Sequence, residues 1–232
     1  MSIVEDSASV AETALAHGVW APVLTPVDED LAPDAGRFVP FAKSLLDDGC
    51  HGIVIFGTTG EANSFSVDER IAILDATLDA GISPGRIIVG TGLCALSDTV
   101  RLTRHAVEAG CAGVLVLPPF YFKNPSEDGL AASYSEVIER VGGNDLKLYF
   151  YHFPALSTVP IEAGLIARLR DAYPSVIAGI KDSTGDAENT AMLCKTFPDL
   201  AVFPGTETLQ LDILKLGGAG TITAGANLNP AG

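Results

Sequence analysis

Two side chains that can do nucleophilic and acid–base chemistry stand where short apolar runs end. Tyr151 closes the run 148–151, and Lys181 follows the run 176–180. A lysine at an apolar cavity loses hydration, which favours the neutral amine, and a neutral amine is the nucleophile that forms a Schiff base with a ketone. The same lysine could instead extend to the rim of the cavity or pair with Asp182, so position alone leaves its role open.

A third candidate is the segment Gly57-Thr58-Thr59-Gly60-Glu61, which follows the apolar run 53–56. Glycines let a backbone approach a ligand closely, and two hydroxyls with neighbouring N–H groups can bind a carboxylate or a phosphate. An ordinary glycine-rich turn explains the segment equally well, so the motif alone leaves both interpretations open.

The elements that must position these side chains are eight short apolar runs with amphipathic segments between them. The predicted strands are 19–24, 53–56, 87–90, 114–117, 148–151, 176–180, 201–203 and 221–223. Continuous apolar runs are typical of strands covered on both faces, as in a parallel sheet. Strands that alternate with helices, without hairpin signals, indicate repeated βαβ units. Ser66 and Glu69 form a capping-box pattern ahead of one of the helices.

An internal repeat supports this arrangement, with similar segments at 48–54, 109–115 and, more loosely, 217–222. In each copy one glycine ends a helix in the left-handed conformation, and a second glycine opens the next strand. Eight strands with seven intervening helices predict an α/β fold, the (β/α)8 TIM barrel, whose active sites lie where the strands end. Neighbouring parallel strands lie ~4.8 Å apart, so Tyr151 and Lys181 are expected to converge on one small ligand.

The predicted domain organisation is an N-terminal extension, 1–17, followed by one barrel over 18–232. Strand eight ends near Ala224, and only residues 225–232 follow it. The barrel is therefore expected to lack its last helix and any C-terminal helices, either because the sequence is truncated after strand eight or because the barrel is open on one side.

Composition excludes several classes of protein. A net charge of −15 repels phosphate backbones and anionic lipid, so neither nucleic acid nor membrane partners are expected. The first 17 residues contain no Lys or Arg, so no signal peptide is predicted. The four cysteines lack metal-ligand spacing, which indicates reduced thiols in a cytoplasmic protein. Neither a metal site nor a cofactor is predicted.

The order of motifs resembles the dihydrodipicolinate synthase and N-acetylneuraminate lyase family of pyruvate-dependent class I aldolases. The resemblance extends from Gly18 to about Asn229. The motifs that carry it are Leu24-Thr25-Pro26, Gly57-Thr58-Thr59-Gly60-Glu61, Pro119-Phe120-Tyr121, Tyr151-His152-Phe153-Pro154 and Gly179-Ile180-Lys181-Asp182-Ser183-Thr184-Gly185-Asp186.

The resemblance implies a role for each matching residue. Lys181 would form the Schiff base, Tyr151 would shuttle protons beside it, and Thr58 would help relay them. Tyr121, also implied to be catalytic, matches a tyrosine that reaches a neighbouring subunit's site, which implies a homotetramer or a dimer in the full-length form. The implied substrate-binding residues are Thr59, Gly57, Gly60, Leu156 and Ile222. The implied small-molecule partners are a 2-keto acid, pyruvate, and an aldehyde.

Two departures from the family pattern bear on the substrate. Leu156 occupies the position where dihydrodipicolinate synthases place an arginine that engages a dicarboxylic substrate, and His152 replaces an asparagine. An apolar side chain cannot pair with a carboxylate. The first hypothesis is therefore an aldolase or lyase that acts on a 2-keto-3-deoxy sugar acid or a related hydroxy-keto acid. The alternatives are a 4-hydroxy-tetrahydrodipicolinate synthase of lysine biosynthesis, a dehydratase that uses the same intermediate, and a non-catalytic barrel that binds a keto acid. His152 is interpreted as structural.

Overall fold

Eight parallel strands form the centre of the molecule. A computed structural model describes residues 15–143 and 145–230. The strands run in the order β7-β6-β5-β4-β3-β2-β1-β8, and every paired neighbour is parallel. They are Gly18–Pro22 (β1), Gly52–Ile55 (β2), Ile87–Gly90 (β3), Gly113–Val116 (β4), Leu148–His152 (β5), Ile177–Asp182 (β6), Ala201–Pro204 (β7) and Gly220–Ile222 (β8).

Helices alternate with the strands along the chain. They are Ala35–Asp47 (α1), Val67–Asp79 (α2), Leu96–Glu108 (α3), Glu127–Val141 (α4), Pro154–Ser157 (α5), Ala163–Ala172 (α6), Ala187–Thr196 (α7) and Gln210–Lys215 (α8). The predicted capping box is confirmed, because Ser66 accepts a hydrogen bond from the Glu69 N–H and the Glu69 carboxylate accepts one from the Ser66 N–H. A 3₁₀ turn, Ala224–Asn227, follows β8.

The ring of strands is nearly closed between β7 and β8. The Ala219 N–H donates to the Val202 carbonyl at 2.9 Å, and the Thr221 hydroxyl donates to the Pro204 carbonyl at 3.0 Å. On its other side β8 pairs with β1 over three residues. Eight parallel strands in a nearly closed ring with alternating helices confirm the predicted (β/α)8 TIM barrel.

The glycine repeat has the predicted geometry. The helix-ending glycines all have positive φ angles: Gly49 (118°), Gly110 (74°) and Gly217 (90°). The second glycine of each copy, Gly52, Gly113 or Gly220, is the first residue of its strand. The left-handed conformation costs little only for a residue without a Cβ, so these glycines set the three helix-to-strand turns.

Side chains of each strand alternate between two apolar layers. In β5, Leu148 and Phe150 pack in the layer between strands and helices, whereas Tyr149 and Tyr151 pack inside the barrel. This period of two sends every second residue towards the barrel axis. The barrel interior also contains Trp20, Val54, Ile88, Leu115, Ala178, Phe203 and Ile222.

Most strand ends differ from the prediction by one or two residues. The largest consequence is at β6, which continues to Asp182, so Lys181 and Asp182 lie within the strand rather than beyond it. Of the predicted extension 1–17, residues 1–14 lie outside the described residues. Within 15–143 and 145–230, no helix combines the length and the apolar character needed to span a membrane.

Candidate active site

Tyr151 and Lys181 are direct neighbours in the sheet. The register between β5 and β6 pairs the two residues, and both side chains face the barrel interior. The Lys181 Nζ donates to the Tyr151 hydroxyl at 3.4 Å and lies 4.5 Å from the centroid of its ring. Both residues are almost completely buried. The predicted convergence of a phenol and an amine is therefore present.

Thr58 extends this contact into a chain of three polar groups. Its Oγ1 lies 3.0 Å from the Tyr151 hydroxyl oxygen, and either group can donate. The chain Lys181–Tyr151–Thr58 joins β6, β5 and the segment that follows β2. A phenol held between an amine and a second hydroxyl is arranged to receive and return protons at a substrate bound to the amine.

A cavity of about 390 Å³ opens above these groups at the carboxyl ends of the strands. This volume falls within the ~300–1,000 Å³ range of small-molecule sites. It is lined by Thr58, Thr59, Tyr151, Phe153, Leu156, Lys181, Ser183, Thr184, Gly185, Gly205, Thr206 and Ala224. Ser183 and Thr184 were not among the predicted site residues. They directly follow β6, so the rule that barrel sites form at strand ends was the signal that could have found them.

The segment from Gly57 to Glu61, called here the Thr58–Thr59 loop, has an unusual backbone. Phe56 before it and Glu61 at its end both have positive φ angles, 56° and 51°. This conformation is unfavourable for residues with a Cβ and persists only where the surroundings enforce it. Within the loop the Glu61 N–H donates to the Thr58 carbonyl at 3.0 Å, and the Ala62 N–H donates to the Gly57 carbonyl at 3.3 Å.

The two glycines of this loop have different surroundings. A Cβ at Gly60 would lie 2.7 Å from the Val23 carbonyl oxygen, and the Gly60 carbonyl accepts a hydrogen bond from Thr25 at 2.8 Å. Gly60 is therefore required for close packing against the end of β1. Gly57 lines a second, smaller cavity of about 20 Å³ beside Thr58 and Tyr151. That volume is sufficient for one water molecule.

The remaining predicted site residues lie in three environments. Leu156, on the short helix α5, lines the cavity and is 59% exposed. Ile222 is fully buried inside the barrel beside Trp20 and is not part of the cavity wall. Tyr121 is 74% exposed, packs edge-to-face on Phe122 and does not line the cavity of its own chain.

His152 and Asp182 form the next pair in the β5–β6 register, one residue beyond Tyr151 and Lys181. Both side chains are buried. The Asp182 carboxylate accepts hydrogen bonds from Asn189 at 2.9 Å and Thr190 at 2.7 Å, which ties β6 to the start of α7. The His152 Nδ1 lies 3.6 Å from the Asp182 Oδ1, and neither ring nitrogen has a hydrogen-bond partner within the described part of the chain.

Burial lowers the pKa of His152, and this effect outweighs the opposing influence of Asp182 and Glu162. The unfolded chain binds a proton near the ordinary pKa of 6.5, whereas the folded chain binds it only at lower pH. Below about pH 6.5 the unfolded state therefore holds more protons, and the free energy of unfolding falls as the pH falls.

We expect His152→Asn to remove part of this loss of stability. The measurement is urea denaturation of the wild type and the variant between about pH 7.5 and 5.5, a window above most carboxylate titrations. The wild type should lose more unfolding free energy than His152→Asn across this window. Parallel curves for the two proteins would show that His152 titrates normally.

Comparison with known proteins agrees with the geometry. The sequence matches the dihydrodipicolinate synthetase family over residues 15–232. An uncharacterized DapA-like lyase from Chloroflexus aurantiacus is 37% identical, with 90% of this chain and 69% of that protein covered. A 4-hydroxy-tetrahydrodipicolinate synthase from Thermus thermophilus is 36% identical, with 81% of this chain and 62% of that protein covered. This chain thus spans between 62% and 69% of the length of these two relatives.

Solved structures have the same fold. Dihydrodipicolinate synthase from Agrobacterium tumefaciens superposes with a TM-score of 0.88 at 36% identity, over 91% of this chain and 74% of that one. A prophage protein of the dihydrodipicolinic acid synthase family from E. coli, solved in complex with pyruvate, has a TM-score of 0.85 at 28% identity, over 94% and 73% of the two chains. The chain belongs to the dihydrodipicolinate synthetase family, a family of carbon–carbon lyases.

Proposed function

We propose that the protein is a class I aldolase that cleaves a 2-keto-3-deoxy sugar acid, or a related hydroxy-keto acid, to pyruvate and an aldehyde. The observation that carries the proposal is the contact of the Lys181 amine with the Tyr151 hydroxyl at 3.4 Å, inside a cavity large enough for such a substrate. In this proposal Lys181, Tyr151 and Thr58 are catalytic, and no cofactor takes part.

The reaction begins at the keto carbon. The Lys181 amine attacks it and passes one of its own protons to the carbonyl oxygen. The Tyr151 hydroxyl then gives that oxygen a second proton, and it leaves as water. The product is a protonated imine, and Tyr151 is left as a base. Thr58, 3.0 Å from the Tyr151 oxygen, stabilises the phenolate by donating a hydrogen bond to it.

The C3–C4 bond can break because the protonated imine accepts its electrons. Tyr151 takes the proton from the hydroxyl on carbon 4, and the electrons of the C3–C4 bond move to the imine nitrogen. The aldehyde is released and an enamine remains on Lys181. The proton then passes from Tyr151 to carbon 3 of the enamine, and water hydrolyses the resulting imine to free pyruvate. The keto-acid carboxylate is held by Thr59 and the N–H groups of the Thr58–Thr59 loop.

The polar residues in the cavity wall favour a substrate with several hydroxyl groups. Ser183, Thr184 and Thr206 contribute three hydroxyls, each of which can donate and accept hydrogen bonds. Glu207, next to Thr206, accepts a hydrogen bond from Thr223, and this bond lowers the pKa of Glu207. Glu207 does not itself line the cavity, but its negative charge lies one residue from Thr206 in the wall and disfavours a second substrate carboxylate there.

A second candidate function is 4-hydroxy-tetrahydrodipicolinate synthesis, in which the enamine of pyruvate attacks aspartate semialdehyde. It is favoured by the names of relatives such as the Thermus thermophilus synthase, at 36% identity. The same imine could also support dehydration. In either case the enzyme is proposed to act as a homotetramer or a dimer, because Tyr121 and Phe122 are exposed aromatic side chains.

Leu156 distinguishes the two candidate functions. Aspartate semialdehyde presents a carboxylate, and leaving that group unpaired in a partly desolvated cavity costs on the order of several kcal/mol. Among the described residues that line the cavity, Lys181 is the only basic side chain. We therefore expect condensation with aspartate semialdehyde to be at least ~10²-fold less efficient than cleavage of the best 2-keto-3-deoxy sugar acid. The measurement is kcat/KM across a panel of both substrate classes.

Two variants make the comparison specific. Leu156→Arg should raise the relative efficiency with aspartate semialdehyde, because a guanidinium can bond both carboxylate oxygens. Lys123 tests the other source of positive charge, since its Nζ donates to the Phe120 carbonyl and, at 3.4 Å, to the Ser157 carbonyl beside Leu156. Lys123→Ala should leave the preference unchanged. Aspartate semialdehyde as the best wild-type substrate would replace the proposed function with the synthase.

A further inference from the structure

Arg70, in the first turn of α2, is one of the largest fully buried side chains in the described part of the chain. Only 2% of its surface is exposed. Burial lowers its pKa to about 10, so the guanidinium remains charged at neutral pH, and Asp98 acts in the opposite direction. Arginine is almost never buried this completely unless its charge or its donors serve a specific contact.

The contacts of Arg70 lie on both sides of the Thr58–Thr59 loop. Its Nη2 donates to the carbonyl of Ala62, the residue directly after the loop. Its Cζ lies 5.9 Å from the ring centroid of Phe56, the residue directly before the loop. Phe65 packs edge-to-face on the same ring, with 6.2 Å between centroids, so Phe56 is held by two side chains.

The loop needs this support because its backbone is unfavourable at both ends. Phe56 and Glu61 adopt left-handed conformations that the surrounding structure must enforce. On the side of the strands, the Gly90 backbone packs directly against the Phe56 carbonyl at the start of the loop. A Cβ added at Gly90 would lie only 2.0 Å from that carbonyl oxygen. On the side of the helices, the Arg70 guanidinium donates one hydrogen bond, from Nη2, to the Ala62 carbonyl and lies over the Phe56 ring.

We infer that Arg70 is a positioning residue for the Thr58–Thr59 loop. By joining Phe56 to Ala62, it holds Thr58 at 3.0 Å from the Tyr151 hydroxyl and keeps Thr59 in the cavity wall. Arg70 does not line that cavity, so it acts on the substrate only through the loop. This inference rests on the proposed function, because its consequence is the placement of the groups that bind the keto-acid carboxylate.

The test measures how much pyruvate borohydride traps on the protein as the pyruvate concentration is raised. The wild type, Arg70→Met and Arg70→Lys are compared by the pyruvate concentration that gives half-maximal trapping. Methionine keeps much of the volume without any donor, and lysine keeps the charge without the planar fork. We expect the half-saturating pyruvate concentration to rise at least about tenfold in Arg70→Met, the order of effect for one lost charged hydrogen bond. Arg70→Lys should lie between, at least about threefold above the wild type, because an ammonium cannot make both contacts.

Thr77→Val is the matched control on the same helix. Thr77 is fully buried, and its hydroxyl donates to the Ile73 carbonyl at 2.6 Å, away from the loop. This variant should lower the melting temperature while leaving the half-saturating pyruvate concentration unchanged. Each protein is measured at a temperature at which its own unfolding curve shows it folded.

The outcomes separate the inference from the proposed function. A wild type that forms no adduct contradicts the proposed Schiff base, whatever the variants do. A wild type that traps pyruvate, together with an Arg70→Met that saturates at the same concentration, overturns the positioning role. An equal rise in Thr77→Val overturns it as well, because the effect would then belong to helix stability. If Arg70→Met does not fold, Arg70→Lys provides the test. A half-saturating pyruvate concentration for Arg70→Lys equal to that of the wild type would then contradict the inference.

Discussion

Lys181→Ala is expected to abolish the pyruvyl group that borohydride traps on the wild-type protein. Reduction converts the imine into a stable secondary amine, so the wild type should gain one reduced pyruvyl group, located at Lys181 by peptide mass spectrometry. The expectation follows from a lysine residue that is 5% exposed, lines a cavity and donates from its amine to the Tyr151 hydroxyl at 3.4 Å. Alanine has no nucleophile with which to form an imine.

Lys123→Ala is the control for this experiment. Lys123 is a second lysine near the mouth of the barrel, and its amine donates to the Phe120 and Ser157 carbonyls. Its loss should leave the adduct unchanged. An adduct that persists in Lys181→Ala would rule out Lys181 as the Schiff-base residue. A folded wild type without an adduct would rule out the Schiff base itself and leave the non-catalytic barrel as the alternative.

Tyr151→Phe should lower turnover by ~10²–10⁴-fold, the usual range for loss of a general acid–base group. The substitution keeps the ring that Lys181 contacts at 4.5 Å and removes the hydroxyl that joins Lys181 to Thr58. Pyruvate should still be trapped by borohydride in the variant after long incubation. The measurement is kcat on the best sugar-acid substrate, together with the extent of trapping.

Tyr149→Phe is the matched control, because it removes the same hydroxyl from the same face of the same strand. Tyr149 is completely buried, and burial raises the pKa of its phenol to about 12. Its hydroxyl accepts a hydrogen bond from the Ala16 N–H at 3.0 Å, at the amino-terminal end of the barrel. Turnover should be largely unchanged, with a stability loss of ~1 kcal/mol for one hydrogen bond. Equal turnover for Tyr151→Phe and the wild type would remove Tyr151 from the mechanism.

Much of the fold could be predicted from local patterns. Continuous apolar runs predicted eight buried strands because strands covered on both faces leave no polar positions. The helix-ending glycines Gly49, Gly110 and Gly217 could be recognised because a left-handed residue favours glycine whatever the tertiary context. Strand ends were predicted less accurately, as at β6, because hydrogen bonding between strands rather than residue type decides where a strand stops.

The amino-acid sequence by itself placed Tyr151 and Lys181 at one edge of the sheet, since consecutive parallel strands place their ends side by side. Their exact pairing depends on a register shift at Leu148 and Tyr149, which hydrogen bonding between the strands sets. Only the tertiary structure decided which groups complete that pair. Thr58 meets Tyr151 across 93 residues, a contact that depends on how the barrel closes. Only the tertiary structure also showed which of the candidate residues line the cavity and which are buried elsewhere. Ile222 lies inside the barrel rather than in the cavity wall. Arg70 has charged neighbours on its helix, yet it is buried and donates to the Ala62 carbonyl directly after the Thr58–Thr59 loop. Exposure is a property of the whole packed chain, so residue type and spacing cannot specify it.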